Sequence, residues 1–104
     1  MAHTLTKSNF DDYLNGCKAV LADFWADWCG PCRMVGPAIE DLHNEYDGKA
    51  IVGKVNVDEE NELAMRYQVM TIPTIIIFKD GQIAERVVGV RSKRDFAELL
   101  EKYI

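Results

Sequence analysis

Ala19-Val20-Leu21-Ala22-Asp23-Phe24-Trp25, followed at once by Ala26-Asp27 and Trp28-Cys29-Gly30-Pro31-Cys32, is the stretch whose reading decides the fold. The first seven residues are an apolar run of strand length. Beyond the cysteines, Arg33-Met34-Val35-Gly36-Pro37-Ala38-Ile39-Glu40-Asp41-Leu42 has a mostly helical pattern. The two thiols therefore sit where a strand hands over to a helix. A cysteine at a helix N-terminus faces unpaired backbone N–H groups and the positive end of the helix dipole. Both favour thiolate over thiol, and the thiolate is the nucleophile. Two thiols separated by two residues can close into a small disulfide ring and reopen, which points to two-electron thiol–disulfide exchange.

Working outward, the pattern alternates strands and helices. A short strand is expected near His3–Leu5, and Phe10, Tyr13 and Leu14 then fall at helical spacing. Val20–Trp25 reads as a buried strand, and a long helix is expected from near Cys32 to about Tyr46. Pro37 lies inside that helix and should kink it, because it removes a backbone donor and clashes with the preceding turn. Ile51–Val57 is β-rich, Glu62–Tyr67 suggests a short helix, and Thr74–Phe78 is strongly β-branched. Asp80-Gly81 marks a tight hairpin into Ile83–Val88. Ser92 with Asp95 resembles a capping box. Phe96, Leu99, Leu100 and Tyr103 follow at i, i+3, i+4 and i+7, the mark of an amphipathic helix. The order β-α-β-α-β-α-β-β-α puts helical crossovers between the early strands, which implies parallel pairing, and a late antiparallel edge. A mixed central sheet with helices on both faces satisfies both requirements.

At 104 residues the chain is expected to form one domain, 1–104, with enough apolar residues to bury a core without staples. Its net charge is −5, from 12 basic and 17 acidic residues, with no basic run to meet a nucleic acid. No window resembles a membrane span or a signal peptide, so the cytoplasm is the expected compartment. Three cysteines are too few for a secreted disulfide framework. In a reducing compartment a close pair is more often catalytic or metal-binding than structural. The alternatives for the pair are an inert disulfide or half a zinc site. A zinc site needs about four ligands, and Cys17, His3 and His43 lack paired-ligand spacing. No metal or other cofactor is therefore expected.

Asp23 stands inside the apolar run, where a carboxylate is costly to bury unless protonated or paired. Burial should raise its pKa and make it a proton carrier near neutral pH. Lys54, on a neighbouring interior strand, is its natural partner, although a snorkelling lysine with an apolar stem explains that residue nearly as well. Cys17, the odd thiol, reads as a small buried hydrophobe, with oxidation-driven dimerisation as the sharper alternative. His3 and His43 read as solvated. The acidic cluster Asp58-Glu59-Glu60-Glu62 suits a loop and helix start, with partner docking as the alternative.

Nearly the whole chain resembles the thioredoxin family. The resemblance is carried by Phe24-Trp25-Ala26-Asp27-Trp28-Cys29-Gly30-Pro31-Cys32, Pro37, Lys54-Val55-Asn56-Val57-Asp58, Ile72-Pro73-Thr74, Phe78-Lys79-Asp80-Gly81 and Gly89. A C-x-x-C alone is a weak signal; W-C-G-P-C after an Asp-containing strand, with I-P-T some forty residues on, is highly specific. The resemblance implies the α/β thioredoxin fold, a central mixed five-stranded sheet flanked by four helices. It implies a general protein disulfide reductase: Cys29 attacks a client disulfide, Cys32 resolves the mixed disulfide, and Asp23, with Lys54 nearby, acts on the Cys32 thiol.

Gly30 and Pro31 would set a reducing poise, Gly30 allowing close backbone approach and Pro31 suiting a first helical turn. Pro73 would follow a cis bond against the sulfurs, freeing the Ile72 backbone to pair with an extended client segment. Trp28 and Gly89 would belong to the docking surface, and Trp25 would pack beside the site. The chain departs from commoner family versions at Met70-Thr71, where Gly or Ser and often a basic residue occur, which bears on client preference. Implied partners are disulfide-containing clients and a separate thioredoxin reductase, since no G-x-G-x-x-G nucleotide motif lies in this monomeric chain. A redox-independent binding module and a disulfide oxidase or isomerase are the alternatives. Gly30-Pro31 and the missing export signal argue against the last.

Overall fold

The computed structural model describes residues 1–104. In chain order it contains β1 (His3–Thr4), α1 (Phe10–Gly16), β2 (Ala19–Trp25), α2 (Gly30–Tyr46), β3 (Ile51–Asn56), α3 (Asn61–Arg66), β4 (Thr74–Lys79), β5 (Gln82–Val88) and α4 (Lys93–Glu101). The strands form one sheet in the order β1-β3-β2-β4-β5. β3 runs parallel to β1 and β2, while β4 runs antiparallel to β2 and β5. This is the expected mixed sheet. The α2 crossover returns the chain for parallel pairing, and the Asp80-Gly81 turn gives the antiparallel edge. Both turn residues are left-handed, with φ of 50° and 82°, as the right-handed twist of a two-residue hairpin requires.

Successive strand residues point to opposite faces, and β2 shows the consequence. Ala19 and Leu21 join Val52, Ile75 and Ile77 beneath Val35, Ile39 and Leu42 of α2 and Phe96 and Leu100 of α4. Val20, Ala22 and Phe24 join Ile76 and Phe78 on the other face, under Phe10 and Leu14 of α1 and Leu63 of α3. Every residue from Ala19 to Phe24 is buried, so the near-continuous apolar run is that of a strand covered on both sides.

The helices follow their end signals. α2 begins at Gly30, two residues ahead of the expected start, because Cys29 caps it and Pro31 fits its first turn. It continues through Pro37 to Tyr46. Ser92 accepts a hydrogen bond from the Asp95 N–H, which fixes the start of α4. That helix stops at Glu101, so Tyr103 of the expected apolar stripe lies beyond it. No helix is long and apolar enough to cross a membrane.

β1 is held by two backbone pairs to β3 and by one close approach. A Cβ at Gly53 would come within 2.6 Å of Leu5 Cγ and 2.9 Å of the His3 carbonyl oxygen. Gly53→Ala should therefore push the first strand off the sheet. The expected loss is about 1–3 kcal/mol in urea unfolding, read against Gly36→Ala, where an added Cβ meets nothing within 4 Å.

Candidate active site

The site forms where the C-terminal end of β2 meets the N-terminus of α2 and the loop before β4. Cys29 is the N-cap of α2 and is joined to Cys32 by a disulfide, with Cα atoms 5.3 Å apart. The Cys32 backbone N–H donates to Cys29 Sγ at 3.2 Å. In the reduced protein that contact and the helix N-terminus both stabilise a thiolate at Cys29. The two residues are 5% and 3% exposed, so both are buried. Both are tucked against Ala26, with Trp25, Val57 and Ile72 alongside. Gly30 and Pro31 are exposed in the first turn.

Opposite the sulfurs, the Ile72–Pro73 peptide bond is cis. The Ile72 carbonyl oxygen lies 3.8 Å from Cys29 Sγ. Pro73 is buried, and its carbonyl accepts from the N–H of Gly89, a glycine at φ 99°. The Thr74 hydroxyl donates to the Thr71 carbonyl and closes the loop. Of the residues expected at the docking surface, Ile72 lies against Cys29, and Gly89 is tied to the neighbouring Pro73. Trp28 adjoins Cys29 and is 67% exposed, with its indole N–H donating to Asp58 Oδ2 at 2.9 Å.

A family model described as Thioredoxin matches residues 1–102. The chain belongs to the thioredoxin family. It is 48% identical over 100 residues to a thioredoxin of Staphylococcus saprophyticus, covering 96% of this chain and 95% of that one. The Staphylococcus aureus thioredoxin is 46% identical with the same coverage. Among solved structures, a single-substitution mutant of a thioredoxin from Halobacterium salinarum superposes with a TM-score of 0.89 at 40% identity, covering 98% of this chain and 88% of that one. The fold is the thioredoxin fold. The activity is protein disulfide reduction by dithiol–disulfide exchange at Cys29 and Cys32.

In this member of the family Asp23 is fully buried, and neither carboxylate oxygen meets a hydrogen-bond partner. It shares the parity of Ala19 and Leu21 and so faces α2, the helix that carries Cys32. Burial raises its pKa from 3.8 to about 7, partly offset by the Lys54 charge. Lys54 is its register partner on β3. The expected ion pair does not form, because the Lys54 ammonium sits 4.3 Å from the centroid of the Trp25 ring instead.

Two further expectations need correction. Cys17 is a free, half-buried thiol rather than a buried one, since it follows the end of α1 and only its inner side meets the α1 core. His3 and His43 are half-buried rather than solvated, with ring centroids 5.0 Å apart, because β1 and α2 lie side by side. The acidic cluster lies in the loop and at the start of α3, as expected, and within it Asp58 is the partner of Trp28. The two are 30 positions apart in sequence, so no local pattern could have shown this.

The Asp23 shift fixes a pH dependence. An acid at 3.8 when unfolded and near 7 when folded leaves the native state holding the extra proton across that window. Stability is therefore lost as pH rises from about 4 to 7 and stays low above it. Asp23→Asn should stabilise the protein by roughly 2–4 kcal/mol at pH 8 and hardly at all at pH 4. Urea unfolding at both pH values checks the difference.

Proposed function

We propose that this chain, acting as one domain over residues 1–104, reduces client proteins with Cys29 as the attacking thiol and Cys32 as the resolving thiol. The observation that carries the assignment is the placement of Cys29 Sγ. It caps α2, accepts the Cys32 N–H at 3.2 Å and faces the Ile72 carbonyl. Cys32 lies one turn deeper, on the side of the buried Asp23.

The Cys29 thiolate attacks one sulfur of a client disulfide. That S–S bond breaks, the other client sulfur leaves as a thiolate and takes up a proton, and a Cys29–client mixed disulfide remains. Asp23 then takes the Cys32 proton, and the Cys32 thiolate attacks Cys29 Sγ. The second client sulfur leaves and is protonated. Two electrons have passed to the client, and the chain is left as the disulfide seen here. A carboxyl near pKa 7 suits this transfer, because it is partly ionised at neutral pH and basic enough to accept a thiol proton.

The Ile72 backbone edge and Trp28 supply the surface against which an extended client segment docks by strand addition, with Gly89 at its rim. Gly30 and Pro31 keep the pair reducing. Electrons return from a separate thioredoxin reductase, the chain works as a monomer, and the cytoplasm, where thiols are kept reduced, is its compartment.

Cys32→Ser should accumulate stable mixed disulfides on Cys29, seen as client-sized adducts by non-reducing gel and mass spectrometry, while Cys29→Ser should not. Equal trapping by both variants would reverse or abolish the assignment. In thiol redox buffers the wild-type pair should equilibrate below the glutathione poise.

A further inference from the structure

Asp23 and Lys54 are aligned across β2 and β3 and point to the same face. Directly opposed residues on adjacent strands have Cβ atoms about 5 Å apart, well within reach of a lysine stem. Opposite charges so placed ordinarily pair, most of all when one of them is buried. Here they do not. The carboxylate meets no donor, while the ammonium lies over the ring of Trp25, two residues beyond Asp23 on the same strand and the same face. Beside the ammonium a cleft of about 360 Å³ is lined by Trp25, Lys54, Asn56, Glu40 and Glu59, among others. The contact the ammonium does make is with the indole face, while Glu40 at the same cleft accepts the Ala2 backbone N–H.

We propose that Trp25 is a positioning residue that holds the Lys54 ammonium away from Asp23, so that Asp23 remains a base strong enough to take the Cys32 proton. The proposal rests on the reading of Asp23 as the proton carrier. Its physical content is a competition for one cation. The electron-rich face of an indole attracts an ammonium most strongly where water is scarce. An ammonium bound there is too distant to fix Asp23 in its ionised form, yet close enough to moderate the effect of burial. A direct ion pair would drive the carboxyl down into the ordinary acid range, leaving it ionised at neutral pH but a poor acceptor of a thiol proton. The charged groups around Asp23 are few. Lys54 on β3 is the charge that acts on the Asp23 carboxyl, α2 brings the uncharged Cys32 sulfur, and Glu40 and Glu59 line the cleft at Lys54. On β4 the opposing residue is the apolar Ile75.

The test is an NMR titration of the Asp23 carboxyl carbon in wild type, Trp25→Leu, Lys54→Met and the double variant. It is run with the pH profile of mixed-disulfide resolution. In the protein that retains Lys54, Trp25→Leu should lower the Asp23 midpoint by roughly half to one pH unit and move the resolution profile the same way. In the Lys54→Met background the same change should have at most a small effect, because no cation is left to release. Trp25→Phe, which keeps an aromatic face in a conservative frame, should give a smaller shift in the same direction and serves if the leucine variant does not fold. An unchanged or raised midpoint on losing Trp25, or an equal fall with and without Lys54, overturns the proposal. The second result would mean that Trp25 acts only by excluding water. Wild-type resolution rates in Asp23→Asn would remove the proton-carrier reading itself, and the titrations would still judge where the cation sits.

Discussion

Strand β2 is paired on both edges and covered on both faces, and the rest of the molecule takes its bearings from it. A strand in that position has no freedom of register. A one-residue slip would exchange Ala19, Leu21 and Asp23 for Val20, Ala22 and Phe24 on the α2 face, moving large side chains into space shaped for small ones. The register that satisfies both cores also turns Asp23 toward α2 and sets Lys54 opposite it. The carboxylate proposed as proton carrier is thereby built into the most constrained strand of the fold.

The same strand delivers the cysteines. β2 ends at Trp25, a short turn follows, and Cys29 caps the helix that covers the sheet. Residues 29–32 thus lie beyond the C-terminal end of the central strand, where helix N–H groups are unpartnered and a thiolate is favoured. From the far side, β4 begins just after the cis Ile72–Pro73 bond. Because β4 is antiparallel to β2, its start lies beside β2's end, and residues 43 apart in sequence meet with the Ile72 carbonyl at 3.8 Å from Cys29 Sγ. Gly89, just past the end of β5, closes the same end of the sheet through its bond to Pro73.

The proton transfer proposed for Asp23 and the stability of the fold pull against each other. A desolvated carboxylate with no hydrogen bond is a stability cost that grows as it ionises. An apolar or amide side chain would remove that cost, and with it a carboxyl whose pKa, about 7, lies near neutral pH. Lys54 moderates the conflict without cancelling it, since its ammonium lies over the Trp25 ring and still lowers the pKa of the buried acid.

Much of this was legible in the chain. Local signals placed all nine elements: the apolar run at 19–25, the Asp-Gly turn, the Ser92 cap, and the strand-to-helix handover at Cys29. Those signals act over a few residues, through backbone preference and side-chain period, so they can be read without a fold. The W-C-G-P-C motif declared the chemistry for the same reason, because two thiols three residues apart need no tertiary structure to form a ring. Tertiary structure alone decided which distant groups meet. It placed Trp28 on Asp58, His3 against His43, and Lys54 on Trp25 rather than on Asp23. That Asp23 and Lys54 are neighbours could be read from two interior strands and the alternation along them. Where the ammonium points depends on a balance of ring face and buried acid that exists only once the strands and a helix have closed around it.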